Sequence, residues 1–198
     1  MKRKTFDLIL TMGGGMLVVV LVVAGALLMW GSSFASSNVH NQLARQEIYF
    51  PSAAAFAHAK PGTEITPTMK PYLLPYAGEQ LLTGTQAQAY ATHFIAIHLS
   101  EMPYGGVYAK LSTASRANPS TKKLAGLVTT SFQGTTLRGL LLEAYAFSVF
   151  GTIAFWAGIA AFVLAFLMLI LTGLGLLHLK RTPEEAEFPS RHERTAAA

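Results

Sequence analysis

Residues 8–30 read LILTMGGGMLVVVLVVAGALLMW, and residues 144–179 read AYAFSVFGTIAFWAGIAAFVLAFLMLILTGLGLLHL. Neither stretch contains Asp, Glu, Lys or Arg. About 20 apolar residues in a helix cross a bilayer core of about 30 Å. Residues 8–30 therefore predict a first transmembrane helix. As one helix, residues 144–179 would be about 54 Å long, well beyond the bilayer thickness. A helix that begins outside the membrane, with its membrane part at residues 149–178, resolves the excess.

Basic residues flank both stretches. Lys2, Arg3 and Lys4 precede the first, Lys180 and Arg181 follow the second, and none occurs between Trp30 and Arg45. The positive-inside rule then places both ends in the cytoplasm. The expected organisation is a cytoplasmic segment 1–7, a span 8–30, an extracytoplasmic domain 31–148, a span 149–178 and a cytoplasmic tail 179–198. The tail is poor in apolar residues, too short for a domain, and expected to be disordered. Trp30 and Trp156, with Lys180 and Arg181, are the expected interfacial anchors. Gly13, Gly14 and Gly15 form a small-residue patch on which another helix can pack. Ser33-Phe34-Ala35 resembles a signal-peptide cleavage site, but the apolar run exceeds the usual ~7–15 residues. A retained signal anchor is the preferred reading, and cleavage is the alternative.

The composition agrees. The chain is 52% hydrophobic and 13% charged, and its apolar residues concentrate in the two runs, which points to a membrane rather than an oversized soluble core. The net charge of +5 comes from scattered residues and short clusters beside the runs, not from a basic face, so nucleic-acid binding is not expected. There is no cysteine, which excludes disulfides, cysteine lipidation and c-type haem attachment. Ionisable residues inside spans mark ion paths and proton relays. Their absence argues against a self-contained transporter, channel or pump.

The central segment reads as helices joined by loops. Val39, Leu43, Ala44, Ile48 and Phe50 form an apolar stripe that extends the first span until Pro51 interrupts it. Pro61, Pro67, Pro71 and Pro75 limit residues 61–78 to a loop or short turns. Thr85 as N-cap with Gln88 three residues on starts a helix through Tyr90, Phe94, Ile97 and His98, ended by Pro103 and Gly105-Gly106. Residues 107–117 form a short helix, broken at Asn118-Pro119. From Ser120 the pattern is helical into the second span, with a kink or frayed turn expected at Gly126, Gly134 or Gly139. The fold class is mainly α: two transmembrane helices flank an extracytoplasmic bundle of about four helices, two of them continuous with the spans.

Chemical motifs are sparse. His93 and His98 are five residues apart, roughly 140° around a regular helix, so one helix cannot aim both at one metal. Glu79, Glu101 and Glu143 are isolated, and no nucleophile elbow, phosphate loop or zinc-protease motif occurs. No catalytic, cofactor or metal residue is assigned, and enzymatic activity is not expected. Lys70-Pro71-Tyr72-Leu73-Leu74-Pro75-Tyr76-Ala77-Gly78 is rich in proline and aromatics. Tyr72, Leu73, Leu74 and Tyr76 make it a candidate docking loop; it could equally fold down on its own helices or rest on the bilayer. Residues 137–147 are apolar nearly all round and read as the junction of bundle and membrane. Arg138 there has Glu143 or a lipid phosphate as its expected partner.

Gln42-Leu43-x-x-Gln46-x-Ile48-x-Phe50-Pro51, Pro75-Tyr76-Ala77-Gly78-x-Gln80 with Ala87-x-Ala89-Tyr90-Ala91, and Leu137-Arg138-Gly139-Leu140-Leu141-Leu142-x-Ala144-Tyr145-Ala146-Phe147 together resemble a family. It is that of the small two-span membrane proteins of actinobacteria with an extracytoplasmic helical domain. The resemblance covers most of the chain. It implies a bacterial cytoplasmic membrane, says nothing of catalysis, and carries over no functional residue. The functional expectation is an accessory or scaffold subunit, bound to the bilayer and to a membrane protein partner or to copies of itself. The alternative is an extracytoplasmic sensor that needs a separate output partner.

Overall fold

The computed structural model describes residues 3–183. Met1 and Lys2, and the tail from Glu184 onward, lie outside the described residues, and with them most of the tail for which disorder is expected. Among the described residues the architecture is mainly helical. Its one β feature is an isolated antiparallel bridge between Tyr49 and Gln80. The helices are α1 (Arg3–Ala44), α2 (Ala53–Ala57), α3 (Lys70–Leu73), α4 (Gly84–Tyr90), α5 (Ala96–Glu101), α6 (Tyr108–Ala117) and α7 (Lys122–Arg181). The chain divides into two compact units, one formed by its beginning through Ser32 and its end from Ile153, the other by Ser33–Thr152.

In the terminal unit, α1 and α7 are the two helices long and apolar enough to cross a membrane. Their most apolar windows have mean hydropathies of 2.4 and 2.6, and only 11% of each window is buried. A soluble core helix of that hydropathy would bury most of its surface. Here Met16, Leu10 and Phe166 are exposed instead. The helices meet through glycines. A Cβ on Gly14 would lie 2.7 Å from the Thr172 hydroxyl, and one on Gly25 would lie 3.1 Å from the Phe162 ring. On α7, a Cβ on Gly158 would lie 3.1 Å from Met29, and one on Gly175 would lie 2.9 Å from the Thr11 hydroxyl. The partners descend along α7 as positions rise along α1, so the two segments run antiparallel. Small residues permit this approach where apolar surroundings supply no hydrophobic force between helices.

The central unit has a conventional core. Leu43, Phe56, Met69, Leu73, Leu81, Ala87, Ala91 and Leu141 are all nearly inaccessible, and Phe50, Ile65 and Ile95 join them. The helix of α1 ends at Ala44, earlier than Pro51 requires. Glu47 adopts φ 50°, the left-handed region that turns the chain. The following segment is clasped: Phe50 N–H donates to the Glu79 carbonyl at 2.9 Å and Leu81 N–H to the Ile48 carbonyl at 2.8 Å. The Gln80 side chain donates to the Ala44 carbonyl at 2.9 Å, satisfying an acceptor at the end of α1.

Two local expectations change. The cap of α4 is Thr83, not Thr85. Its hydroxyl accepts from Gln86 N–H at 3.2 Å, and the Gln86 side chain accepts from Thr83 N–H at 3.0 Å. The Thr-x-x-Gln pattern occurs in two overlapping registers. In the register that forms, the Gln86 side chain also accepts from Leu82 N–H at 2.8 Å and its amide donates to Glu79 at 2.8 Å. The glycines of α7 do not break it, for the helix is continuous from Lys122 to Arg181. Gly126 and Gly139 meet nothing nearby, while Gly134 receives the Leu99 side chain.

Candidate functional site

The proline-aromatic segment forms α3 followed by a 3-10 turn, Leu74–Tyr76. Pro71 opens the helix where its missing N–H costs nothing. The segment is anchored from beneath. Leu73 is fully buried, so it belongs to the core and is not part of an exposed docking surface, as its place in the sequence had suggested. A helical turn facing a core must direct one of four successive side chains inward, and here that is Leu73. Tyr76 is half-buried, with its ring 5.2 Å from that of Phe50. Tyr72 and Leu74 face outward, 51% and 39% exposed. Pro67, Lys70, Pro71, Leu74 and Pro75 border a shallow depression of about 360 Å³.

The Tyr72 ring lies flat on His93, with centroids 3.5 Å apart and planes 2° from parallel. His93 belongs to a π-helical turn, Ala91–Ile95, between α4 and α5. The extra residue in this turn changes the side-chain rotation that a regular helix would give. Desolvation holds the His93 pKa below its ordinary value, so the ring against Tyr72 favours its neutral form. His98 is engaged elsewhere: its Nδ1–H donates to the Phe94 carbonyl at 2.8 Å, and its ring packs on Phe94. Tyr90 stacks on Phe94 and meets Phe50 edge-on at 5.4 Å. Its phenol pKa is raised by burial and secondarily by the Glu64 charge. No group of three His, Asp or Glu with metal-binding proximity exists among the described residues.

The remaining sequence-derived positions separate. Of Gly13, Gly14 and Gly15, Gly14 is pressed hardest against α7, a Cβ on Gly15 would lie 3.9 Å from the Thr172 methyl group, and Gly13 meets nothing. Gly13 and Gly14 border a cleft of about 550 Å³ together with Leu17, Met168 and Thr172. Trp30 and Trp156 are exposed, as are Lys180 and Arg181 at the end of α7. Asp7 Oδ2 stands 3.8 Å from His178 Nε2. Sequence spacing gave no sign of that pair, because its members belong to opposite ends of the chain.

Arg138 and Glu143, weighed as an ion pair from sequence, are not joined. Glu143 borders a cleft with Asn38, Gln42 and Gln46, while Arg138 borders a different one with Ser100, Tyr108 and Thr135. No protein-family model, curated protein or solved structure matches this chain.

Proposed function

We propose that this protein is a non-enzymatic accessory or scaffold subunit of the bacterial cytoplasmic membrane. It is held there by α1 and α7, with its central helices outside and both ends in the cytoplasm. Lys2, Arg3 and Lys4 before the first apolar run, and Lys180 and Arg181 after the second, support that orientation. The observation that carries the interaction reading is the segment 70–76. Leu73 and Tyr76 fix it to the core, and the His93 ring backs Tyr72. Tyr72, Leu74 and the neighbouring prolines are thereby presented as a pre-ordered apolar surface. Little conformational entropy remains to be lost when such a surface binds, and rigid aromatics are effective anchors. The partner is a membrane protein.

The test is purification of the tagged full chain from its native membrane in mild detergent or nanodiscs, with quantitative mass spectrometry. A stoichiometric membrane protein should co-purify, and Tyr72→Ser with Leu74→Ser should release it while helix content is unchanged. Retention of every associated protein by the double variant would remove the segment from the interface. A clean single species would overturn the accessory-subunit reading.

A further inference from the structure

The cleft beside Arg138 is built from parts that hold one another in place. Gly106 lies so close to the Leu99 carbonyl that any Cβ would collide with it, and its φ of 65° suits glycine. The Gly106 carbonyl accepts from the buried Ser131 hydroxyl at 2.6 Å. Leu99 in turn packs over Gly134, where an added Cβ would lie 2.9 Å from its side chain. These ties fix α5, the turn Pro103–Gly106 and α7 around a space of about 580 Å³. Leu99, Val107 and Tyr108 supply apolar wall, and Ser100, Thr135 and Tyr108 supply hydroxyls.

The charge in this space is unbalanced. Arg138 borders it and forms no ion pair among the described residues. No carboxylate borders the cleft. The Tyr108 and Thr135 hydroxyls make no hydrogen bond among the described residues. The start of α6 also opens here, for Val107, Tyr108 and Ala109 line the wall and Val107 provides no side-chain cap. Its first-turn N–H groups add partial positive charge. An arginine fork matches the oxygens of a phosphate.

We infer that this cleft binds a phosphate monoester with an apolar substituent: Arg138, Thr135 and Tyr108 take the phosphate, and Leu99 and Val107 the apolar part. This is independent of the surface at residues 70–76. The same chemistry is available from a soluble phosphate monoester and from the headgroup of a phosphatidic acid.

The probes are phenyl phosphate and inorganic phosphate, titrated calorimetrically into the full chain in phosphatidylcholine nanodiscs. Phenyl phosphate should bind saturably and more tightly than inorganic phosphate. Arg138→Gln should weaken it by about ten- to hundred-fold, the usual weight of a charged hydrogen bond. Arg138→Lys should fall between, because it keeps the charge and loses the fork. Tyr108→Ala, at an exposed side chain, should weaken phenyl phosphate more than inorganic phosphate, and it tests the site even where Arg138→Gln fails to fold. Competition from phosphatidic acid, beyond that of phosphatidylserine discs of equal charge, would identify the lipid as the source; equal behaviour in the two discs would identify a soluble ligand. Absence of saturable phenyl phosphate binding, or undiminished binding by a folded Arg138→Gln protein, would overturn the inference.

Discussion

The two units use apolar residues in opposite ways. In the terminal unit Leu10, Met16 and Phe166 point away from the protein, and the helix contacts are made by Gly14, Gly25, Gly158 and Gly175. In the central unit the large side chains, Phe56, Met69, Leu73 and Leu141, are inside, and short polar ties such as Ser131 to Gly106 fix the periphery. The first arrangement suits a solvent as apolar as the side chains themselves, so close backbone approach replaces hydrophobic burial. The second suits water, where burial is the main stabilising term. Hydropathy alone does not separate these uses; the identity of the residues at the contacts does.

The largest effect that tests this contrast is in the central core. Met69→Ala should cost about 2–5 kcal/mol, whereas Leu10→Ala should cost less than about 0.5 kcal/mol, both read by unfolding in mixed detergent micelles. Comparable losses would erase the distinction. Next, Gly25→Leu should cost about 1–3 kcal/mol by overpacking against Phe162. Gly13→Leu, which meets nothing within the chain, should leave the unfolding of the isolated protein unchanged. If Gly13→Leu destabilises as strongly, helix contact is not glycine-specific. Smaller still, Thr83→Ala should cost about 1 kcal/mol, and Thr85→Ala distinctly less, which separates the two capping registers.

The smallest expected effect is the pH response at His93. Its folded pKa is depressed below the unfolded value, so its contribution to stability is fully present above about pH 6.5. That contribution is lost as pH falls through the folded pKa. Thermal unfolding of the full chain should show a melting temperature that declines on acidification below that point, and His93→Phe should make the decline shallower. A slope that is unchanged in the variant would assign the pH response to other groups.

Much of this organisation was legible in residue order. The uncharged runs 8–30 and 144–179 announced two long apolar helices, and Asn118-Pro119 marked the break before α7. Proline spacing in 61–78 anticipated short turns. The capping register was not legible, because Thr83 and Thr85 both stand three residues before a glutamine, and the Leu82 and Glu79 contacts to the Gln86 side chain form only in the folded chain. Nor was the inward placement of Leu73, since a short turn carries too few residues to show a periodicity. The π-helical turn at Ala91–Ile95 likewise has no sequence signature, so the orientations of His93 and His98 could not be read from a spacing of five.

What the sequence determined by itself is the length, apolarity and flanking charge of its two long helices, because these depend on composition along a single segment. Which charges stay unpaired, which tyrosine is exposed and which glycine is pressed against a neighbour were decided by tertiary structure. Each depends on atoms brought together from distant segments: Arg138 with the turn after α5, Tyr72 with His93, Gly14 with Thr172. Contacts of that kind are set by packing in three dimensions, and no local pattern encodes them.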